Sequence, residues 1–306
     1  MKRLIAIVGP TGIGKSRLAL RLAGLYQGEI ISADSRQVYR YLDIGTAKPT
    51  PQELSSVPHH LIDIINPDDE FSLAMYQEKA YRAIEDIYRR DRLPFLVGGT
   101  GLYVKAVLEG WRIPRVSPDK EFRYNIEKRT SEGNIDELYE ELVNIDPDAA
   151  AKIDRRNVRR VIRALEVHAK AGKAFSQLGD KIAPAFIPFI IGLTAERSEL
   201  YRMVDRRVDE MIERGLIREV EKLLKMGYDL DLPSMSGIGY RQVGQFLKGE
   251  LTLPEATQKI KTETHRFIRH QYAWFRLDDE KIHWFDVGHR EDSEIEETLA
   301  EFLKNE

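Results

Sequence analysis

The chain opens on a short continuous apolar run, Leu4 to Val8, that stops at Gly9. A run of this kind marks a strand buried on both faces, so a strand is expected over 3–8. Residues 15–26 then carry apolar side chains at helical spacing, and 29–33 returns to a short apolar run. The same alternation predicts a short strand over 60–65 and a long amphipathic helix over 72–91 with Ser72 as its N-cap. A strand over 93–97, ended by Gly98 and Gly99, and a helix over 100–110 follow. Strands alternating with helices predict an α/β core on a parallel sheet.

The pattern changes from about Arg115 to Ala183, where no strand period is visible. Segments opening at Ser117, Ile135, Pro147 and Asn157 read as helices, broken at Gly133, Pro147 and Gly172. Val158, Ile162, Leu165 and Val167 are expected to pack them together. The strand pattern returns over 185–193. Helices are expected at about 196–226 and 254–276, a last strand over 282–287 and a last helix over 292–305. The chain therefore reads as an α/β core over 1–114 and 184–306, interrupted by an all-helical insertion over 115–183.

Composition narrows the class. The 306 residues are 42% hydrophobic and 32% charged, which suits a soluble globular protein. No apolar run approaches the roughly 18 residues of a membrane span, so no membrane is expected as a partner. The N-terminus is basic and then apolar, but its apolar run enters a glycine loop, which favours a first strand over a signal peptide. There are no cysteines, hence no disulfide and no thiolate zinc site, and a cytoplasmic chain is expected. The net charge of −3 offers no global basic field, so any nucleic-acid signal must be local.

Residues 9–16, GPTGIGKS, match G-x-x-x-x-G-K-[ST] between an expected strand and an expected helix. Gly9, Pro10, Thr11, Gly12, Ile13, Gly14, Lys15 and Ser16 would form a phosphate loop whose backbone N–H groups turn inward at a helix N-terminus. Lys15 would supply a point charge to the terminal phosphate, and the Ser16 hydroxyl could ligate Mg²⁺. The core is accordingly expected to be a P-loop NTPase-like parallel sheet flanked by helices. The motif does not name the reaction. The later strand over 93–97 ends in two glycines, whereas a Walker-type ATPase places a magnesium-binding acid there.

The next strand ends in Asp34, Ser35, Arg36 and Gln37. A carboxylate at a strand's C-terminal edge beside a phosphate site points into the ligand crevice. It can orient a nucleophile or accept its proton, and it suits a proton that becomes acidic only as attack proceeds. Ser35, Arg36 and Gln37 suit a planar polar partner such as a base. The competing reading is a turn or helix cap made by Asp34 and Ser35. Three functions stay open on these residues: group transfer from a phosphorylated donor other than ATP, a small-molecule kinase using ATP, and a non-catalytic RNA-binding nucleotide switch.

Longer stretches carry more information. GPTGIGKS, SADSRQVYRYLDIGTAKP, PHHLID, LVGGTGLY, RRVIRALEV, IGYRQ and THRFIRHQYAWFR occur in this order and span most of the chain. Together they resemble the bacterial tRNA dimethylallyltransferases (tRNA isopentenyltransferases). The resemblance implies transfer of a dimethylallyl group from dimethylallyl diphosphate to N6 of the adenosine 3′ of the anticodon, position 37, giving N6-isopentenyladenosine. It implies that diphosphate sits on Gly9 to Ser16 with Lys15, Ser16, Mg²⁺ and Arg207, and that Asp34 binds N6 and takes its proton. Thr100 would lie by the reacting centre, making Asp34, Thr100 and Lys15 the catalytic set. Asp34, Ser35, Arg36, Gln37, Thr100 and Arg123 would touch tRNA. A monomer acting on the anticodon stem-loop is expected. No zinc-finger extension of the larger eukaryotic relatives follows, so a minimal bacterial type is expected. The helix over 264–276 departs from the Arg-, Lys- and Gln-rich pattern of the family, which leaves its residue contacts open.

A local RNA signal accompanies the resemblance. Residues 151–173 hold eight Lys or Arg and two acids, so 8 − 2 gives +6. On a helix Arg156, Arg159, Arg160 and Arg163 would share one side, a footprint for a phosphate backbone or a solvated basic face. His265, Arg266, Arg269, His270 and Arg276 form a second basic set. Tyr240, Arg241 and Gln242 either line an RNA entry or pack a helix start. His59, His60 and Asp63 are too closely spaced to converge on a metal, so hydrogen bonding is expected of them.

Overall fold

The apolar run at the N-terminus forms β1, Arg3–Val8, and the helical spacing after it forms α1, Lys15–Leu25. The structure, a computed structural model, describes residues 2–114, 116, 119–131, 135–178, 181–288 and 292–304. Arg115, Ser117, Gly133 and Asn305, used above as boundaries or breaks, lie outside the described residues. β2 (Glu29–Ser32), α2 (Pro51–Ser56), β3 (His59–His60), α3 (Leu73–Arg89), β4 (Pro94–Val97) and α4 (Gly101–Leu108) follow. The helical stretch supplies α5 (Lys120–Ser131), α6 (Ile135–Ile145), α7 (Pro147–Ala150) and α8 (Val158–Ala171). The chain then continues through β5 (Ile187–Thr194), α9 (Arg197–Arg214), α10 (Leu216–Lys225), α11 (Tyr240–Leu247), α12 (Leu253–Trp274), β6 (Ile282–Asp286) and α13 (Asp292–Lys304). Two compact units result, Met1–Leu108 with Pro184–Glu306, and Glu109–Ala183.

In the first unit the six strands form one sheet in the order β3-β2-β4-β1-β5-β6, with every pairing parallel. Side chains alternate across it, as strand geometry requires. Ile5 and Ile7 join Ile30, Phe95, Ile191 and Leu193 on the face covered by α1, α9, α12 and α13. Leu4, Ala6 and Val8 join Ile31 and Leu96 on the face covered by α3 and α4. A third apolar cluster ties Val38, Tyr39 and Leu42 to Leu216, Val220, Leu223, Tyr240 and Val243. The order puts the C-terminal ends of β2, β4 and β1 side by side. Open parallel sheets place ligands at such strand ends.

Two local expectations need correction. The strand expected over 60–65 reduces to His59–His60, paired with Ile30 and Ile31. Leu61 and Asp63 adopt φ of 65° and 56°, and such left-handed residues end an extended run. The apolar residues there serve the core from a turn. The helical stretch at 196–226 is two helices, because Gly215 at φ 104° ends α9 and opens α10.

The second unit packs Ile126, Leu138, Leu142, Ile153, Val161, Ile162 and Leu165 into a core of its own, with Val158 partly buried against it. Val167 is fully buried as well. Beside this core Glu166 is buried on α8. It accepts from Arg123 Nε and Nη2, both at 2.8 Å, from the Asp119 N–H at 2.7 Å and from Arg163 Nη1 at 2.6 Å. Burial alone would raise its pKa, but these donors outweigh burial and hold it down to about 2.

Candidate active site

The phosphate loop follows β1 without a break. Gly9 has φ 139° and lies so close to β5 that a Cβ would meet Leu193 O at 2.5 Å. Gly12, at φ 81°, would meet Val204 Cγ1 of α9 at 2.5 Å. Only glycine fits either position. The loop therefore turns tightly against the sheet and α9, and α1 begins at Lys15 with its N–H groups toward the loop.

Lys15 Nζ donates to Pro10 O at 2.7 Å, which folds the side chain back over the loop. Burial, with help from the Arg207 guanidinium and against the pull of Asp34, pushes its pKa down to about 7. Arg207, half-buried on α9, is lowered by burial while Asp34 opposes that shift. It has no hydrogen-bond partner among the described residues. Two cations thus lie within each other's field, with Asp34 as the neighbouring anion. Neither is ion-paired with a carboxylate among the described residues, and such a pair of basic groups at a helix N-terminus is a receptor for an anion of high charge. The Ser16 hydroxyl also lacks a protein partner among the described residues. Together with phosphate oxygens and water it offers the hard oxygen donors magnesium takes, so these residues fit that ion.

Asp34 follows β2 and shapes its own turn. Its Oδ1 accepts from the Arg36 N–H at 2.8 Å and the Gln37 N–H at 3.4 Å. The turn reading is therefore correct, and it leaves Oδ2 without a protein donor. Ser35 N–H donates to Thr100 Oγ1 at 3.1 Å, and Thr100 N–H donates to Ala33 O at 3.2 Å. The segments after β2 and β4 are thereby laced together, and Asp34, Ser35 and Thr100 share one edge of the sheet. Arg36 is not a solvated cation. Its guanidinium donates to Pro233 O at 2.5 Å, Ser234 O at 3.3 Å and Ser236 Oγ at 3.2 Å. Gln37 Nε2 donates to Thr46 O and Ala47 O at 3.2 and 3.4 Å, and its Oε1 accepts from Ser32 Oγ at 3.0 Å. Both side chains hold the turn in place.

Sequence reading missed Gln271 of α12, which is buried at 3% exposure. Its Oε1 accepts from the Thr11 N–H at 2.8 Å and its Nε2 donates to Gly99 O at 3.0 Å. One amide thus fastens the phosphate loop to the glycine pair after β4. Its neighbours His265, Arg266, Arg269 and His270 drew attention by charge, whereas an amide in a basic helix carries no periodic signal.

The remaining candidates sort by partner. Arg156 precedes α8 and its N–H donates to Asp154 Oδ1, so the expected four-arginine helical face loses its first member. Arg159 and Arg160 are exposed on α8. Arg123 and Arg163 are engaged by Glu166, and Arg163 also donates to Val116 O at 2.9 Å. On α12, His265 stacks on Tyr201 at 3.9 Å and pairs with Asp205 at 2.8 Å, Arg269 donates to Tyr201 Oη, and Arg276 pairs with Asp278. Arg266 and His270 line a groove of about 510 Å³ with Arg241, Lys259 and Phe267. Tyr240 and Gln242 are buried, so they pack the start of α11. His60 Nε2 meets buried Glu29 at 2.6 Å and His59 Nδ1 meets Val57 O at 2.7 Å, both in hydrogen-bonding roles.

Comparison with known proteins bears on this arrangement. Family models described as IPP transferase and isopentenyl transferase match residues 37–278 and 2–65. A tRNA dimethylallyltransferase of Dehalococcoides mccartyi is 52% identical over 301 residues, covering 98% of this chain and 92% of its own. One from a Roseiflexus species is 54% identical over 273 residues, covering 89% and 90%. The crystal structure of the tRNA isopentenylpyrophosphate transferase of Bacillus halodurans aligns with a TM-score of 0.73 at 42% identity, covering 99% of this chain and 96% of that one. A eukaryotic dimethylallyltransferase captured acting on tRNA aligns with a TM-score of 0.78 at 28% identity, covering 94% and 74%.

Proposed function

The chain belongs to the IPP transferase family, and on that premise we propose that it moves a dimethylallyl group from dimethylallyl diphosphate to N6 of adenosine 37 in the anticodon stem-loop of tRNA. The observation that carries the residue assignment is the pairing of a Lys15–Arg207 basic centre, without a salt-bridge partner among the described residues, with the Asp34 turn at one end of the sheet. No helix among the described residues is long and apolar enough to cross a membrane.

The chemistry follows from where charge moves. The exocyclic amine of adenine is a weak nucleophile, because its lone pair is delocalised into the ring. Assistance must therefore act on the leaving group. As the allylic C–O bond breaks, negative charge builds on the diphosphate, where the loop N–H groups, Lys15 and Arg207 stabilise it. Magnesium held by Ser16 and the diphosphate would add further positive charge there. The N6–carbon bond forms as the C–O bond breaks, and the N6 proton passes to Asp34. The Arg36 N–H fixes one carboxylate oxygen and leaves the other to take that proton. Thr100 holds the adjoining Ser35 and so sets the floor of the acceptor side. The adenine must leave its stack to reach this edge, at a cost of a few kcal/mol that tRNA contacts offset.

The test is an Asp34→Ala protein compared with wild type. Loss of turnover with unchanged tRNA and donor binding supports the assignment. An Asp34→Ala enzyme that prenylates tRNA at the wild-type rate overturns it.

A further inference from the structure

The Asp34 turn hangs on a loop whose own anchor is a carboxylate far away in sequence. Glu219 of α10 receives three successive backbone N–H groups. Oε2 accepts from Asp43 at 3.1 Å and Ile44 at 2.7 Å, while Oε1 accepts from Gly45 at 3.2 Å and from the buried Tyr240 hydroxyl at 2.6 Å. Consecutive N–H groups around one anion form a nest, which a carboxylate occupies strongly. The fit is close, because a Cβ on Gly45 would meet the Tyr240 ring at 2.5 Å. The loop then runs directly into the acceptor side. Thr46 O and Ala47 O, next after the nest, are the two carbonyls that take Gln37 Nε2. Gln37 N–H in turn belongs to the Asp34 turn. Lys48 closes the same loop by donating to Tyr39 O at 2.6 Å and Asp43 Oδ1 at 2.7 Å.

We infer that Glu219, seconded by Tyr240, is a positioning residue for the acceptor base: it sets Asp34 through the 43–47 loop and Gln37 without touching either substrate. The inference rests on the function proposed above. It separates the two halves of the site, since nothing in this chain of contacts passes through the phosphate loop. Removing the carboxylate should therefore spoil the use of tRNA and spare the donor.

The experiment compares full-length wild type, Glu219→Gln and Tyr240→Phe. Glutamine keeps the shape but faces the nest with an amide in place of one acceptor oxygen. With wild type prenylating tRNA, kcat/KM for tRNA should fall roughly tenfold in Glu219→Gln and a few-fold in Tyr240→Phe. The dissociation constant for dimethylallyl diphosphate should stay within about twofold. Amide hydrogen exchange supplies a readout independent of activity. In Glu219→Gln the Arg36 and Gln37 amides should exchange faster along with those of Asp43 to Gly45. Faster exchange confined to 43–45, or turnover lost only in proportion to the folded fraction, overturns the inference and leaves the prenylation reading standing. A wild-type protein that never prenylates tRNA overturns that reading instead, and the exchange at Arg36 and Gln37 still decides whether Glu219 positions the turn.

Discussion

The phosphate loop and the Asp34 turn lie at neighbouring strand ends, yet they are held by different means. The loop is largely local: eight consecutive residues carry its glycines, its lysine and its hydroxyl, with Leu193, Val204 and Gln271 as outside supports. The turn closes locally on Asp34 Oδ1, but its other side chains are held from far along the chain. Arg36 leans on residues 233–236, Ser35 on Thr100, and Gln37 on a loop that Glu219 and Tyr240 secure. A group that binds a common anion can be a portable module. A group that must meet one particular amine has to be placed by the whole fold.

The sharpest break of that contrast is Lys15→Ala. It should lower kcat/KM by about three orders of magnitude, since it removes a charge aimed at the leaving group, and raise the donor KM while tRNA binding stays as in wild type. Steady-state kinetics with a filter-binding assay for tRNA separates the two effects. Gln271→Leu comes next. It strands the Thr11 N–H and Gly99 O, each costing about 1–3 kcal/mol when buried, so the donor KM should rise at least roughly tenfold with a smaller loss in kcat. Thr100→Val removes the acceptor for Ser35 N–H and the long hydroxyl contact to Ser35 Oγ at 3.5 Å, together worth about 1 kcal/mol, and should lower kcat about fivefold with donor KM unchanged.

The smallest effect is a pH signature of the donor side alone. Lys15 in the free protein has its pKa pushed down to about 7, and an anion bound beside it raises that pKa again. Donor binding at about pH 8 should then take up to about one proton onto Lys15, with little uptake there at about pH 6, where it is already charged. Calorimetry in buffers of different ionisation enthalpy reads the uptake, and Lys15→Met should abolish it. The same shift carries a stability sign. The folded lysine resists protonation, so its contribution grows as pH rises from about 7 toward the unfolded value of roughly 10.4.

Legibility in the sequence followed the same divide. Short apolar runs such as Leu4–Val8 marked the parallel strands, because burial on both faces leaves no other pattern. The phosphate loop was legible because its glycines, lysine and hydroxyl lie in eight consecutive residues. The residues 60–65 misled, since Leu61 and Asp63 adopt left-handed backbone that apolar content does not report. The four-arginine face failed for a similar reason: Asn157 caps α8 and leaves Arg156 outside it. Glu219 and Gln271 were invisible, since an acid or amide on an amphipathic helix looks like solvated surface until its distant partners are known. The family resemblance carried the specific role of Asp34; its residues alone favoured a carboxylate facing the ligand crevice, with a turn as the competing reading.

The central claim, that a phosphate cradle here serves an allylic donor and the Asp34 edge serves tRNA, is tested most directly by nucleoside mass. Purified protein with Mg²⁺ and tRNA bearing an unmodified adenosine 3′ of the anticodon is incubated with dimethylallyl diphosphate or with ATP. The account predicts N6-isopentenyladenosine with the allylic donor only. Unmodified adenosine under both conditions, with ATP consumed in phosphorylating a small acceptor, would contradict it.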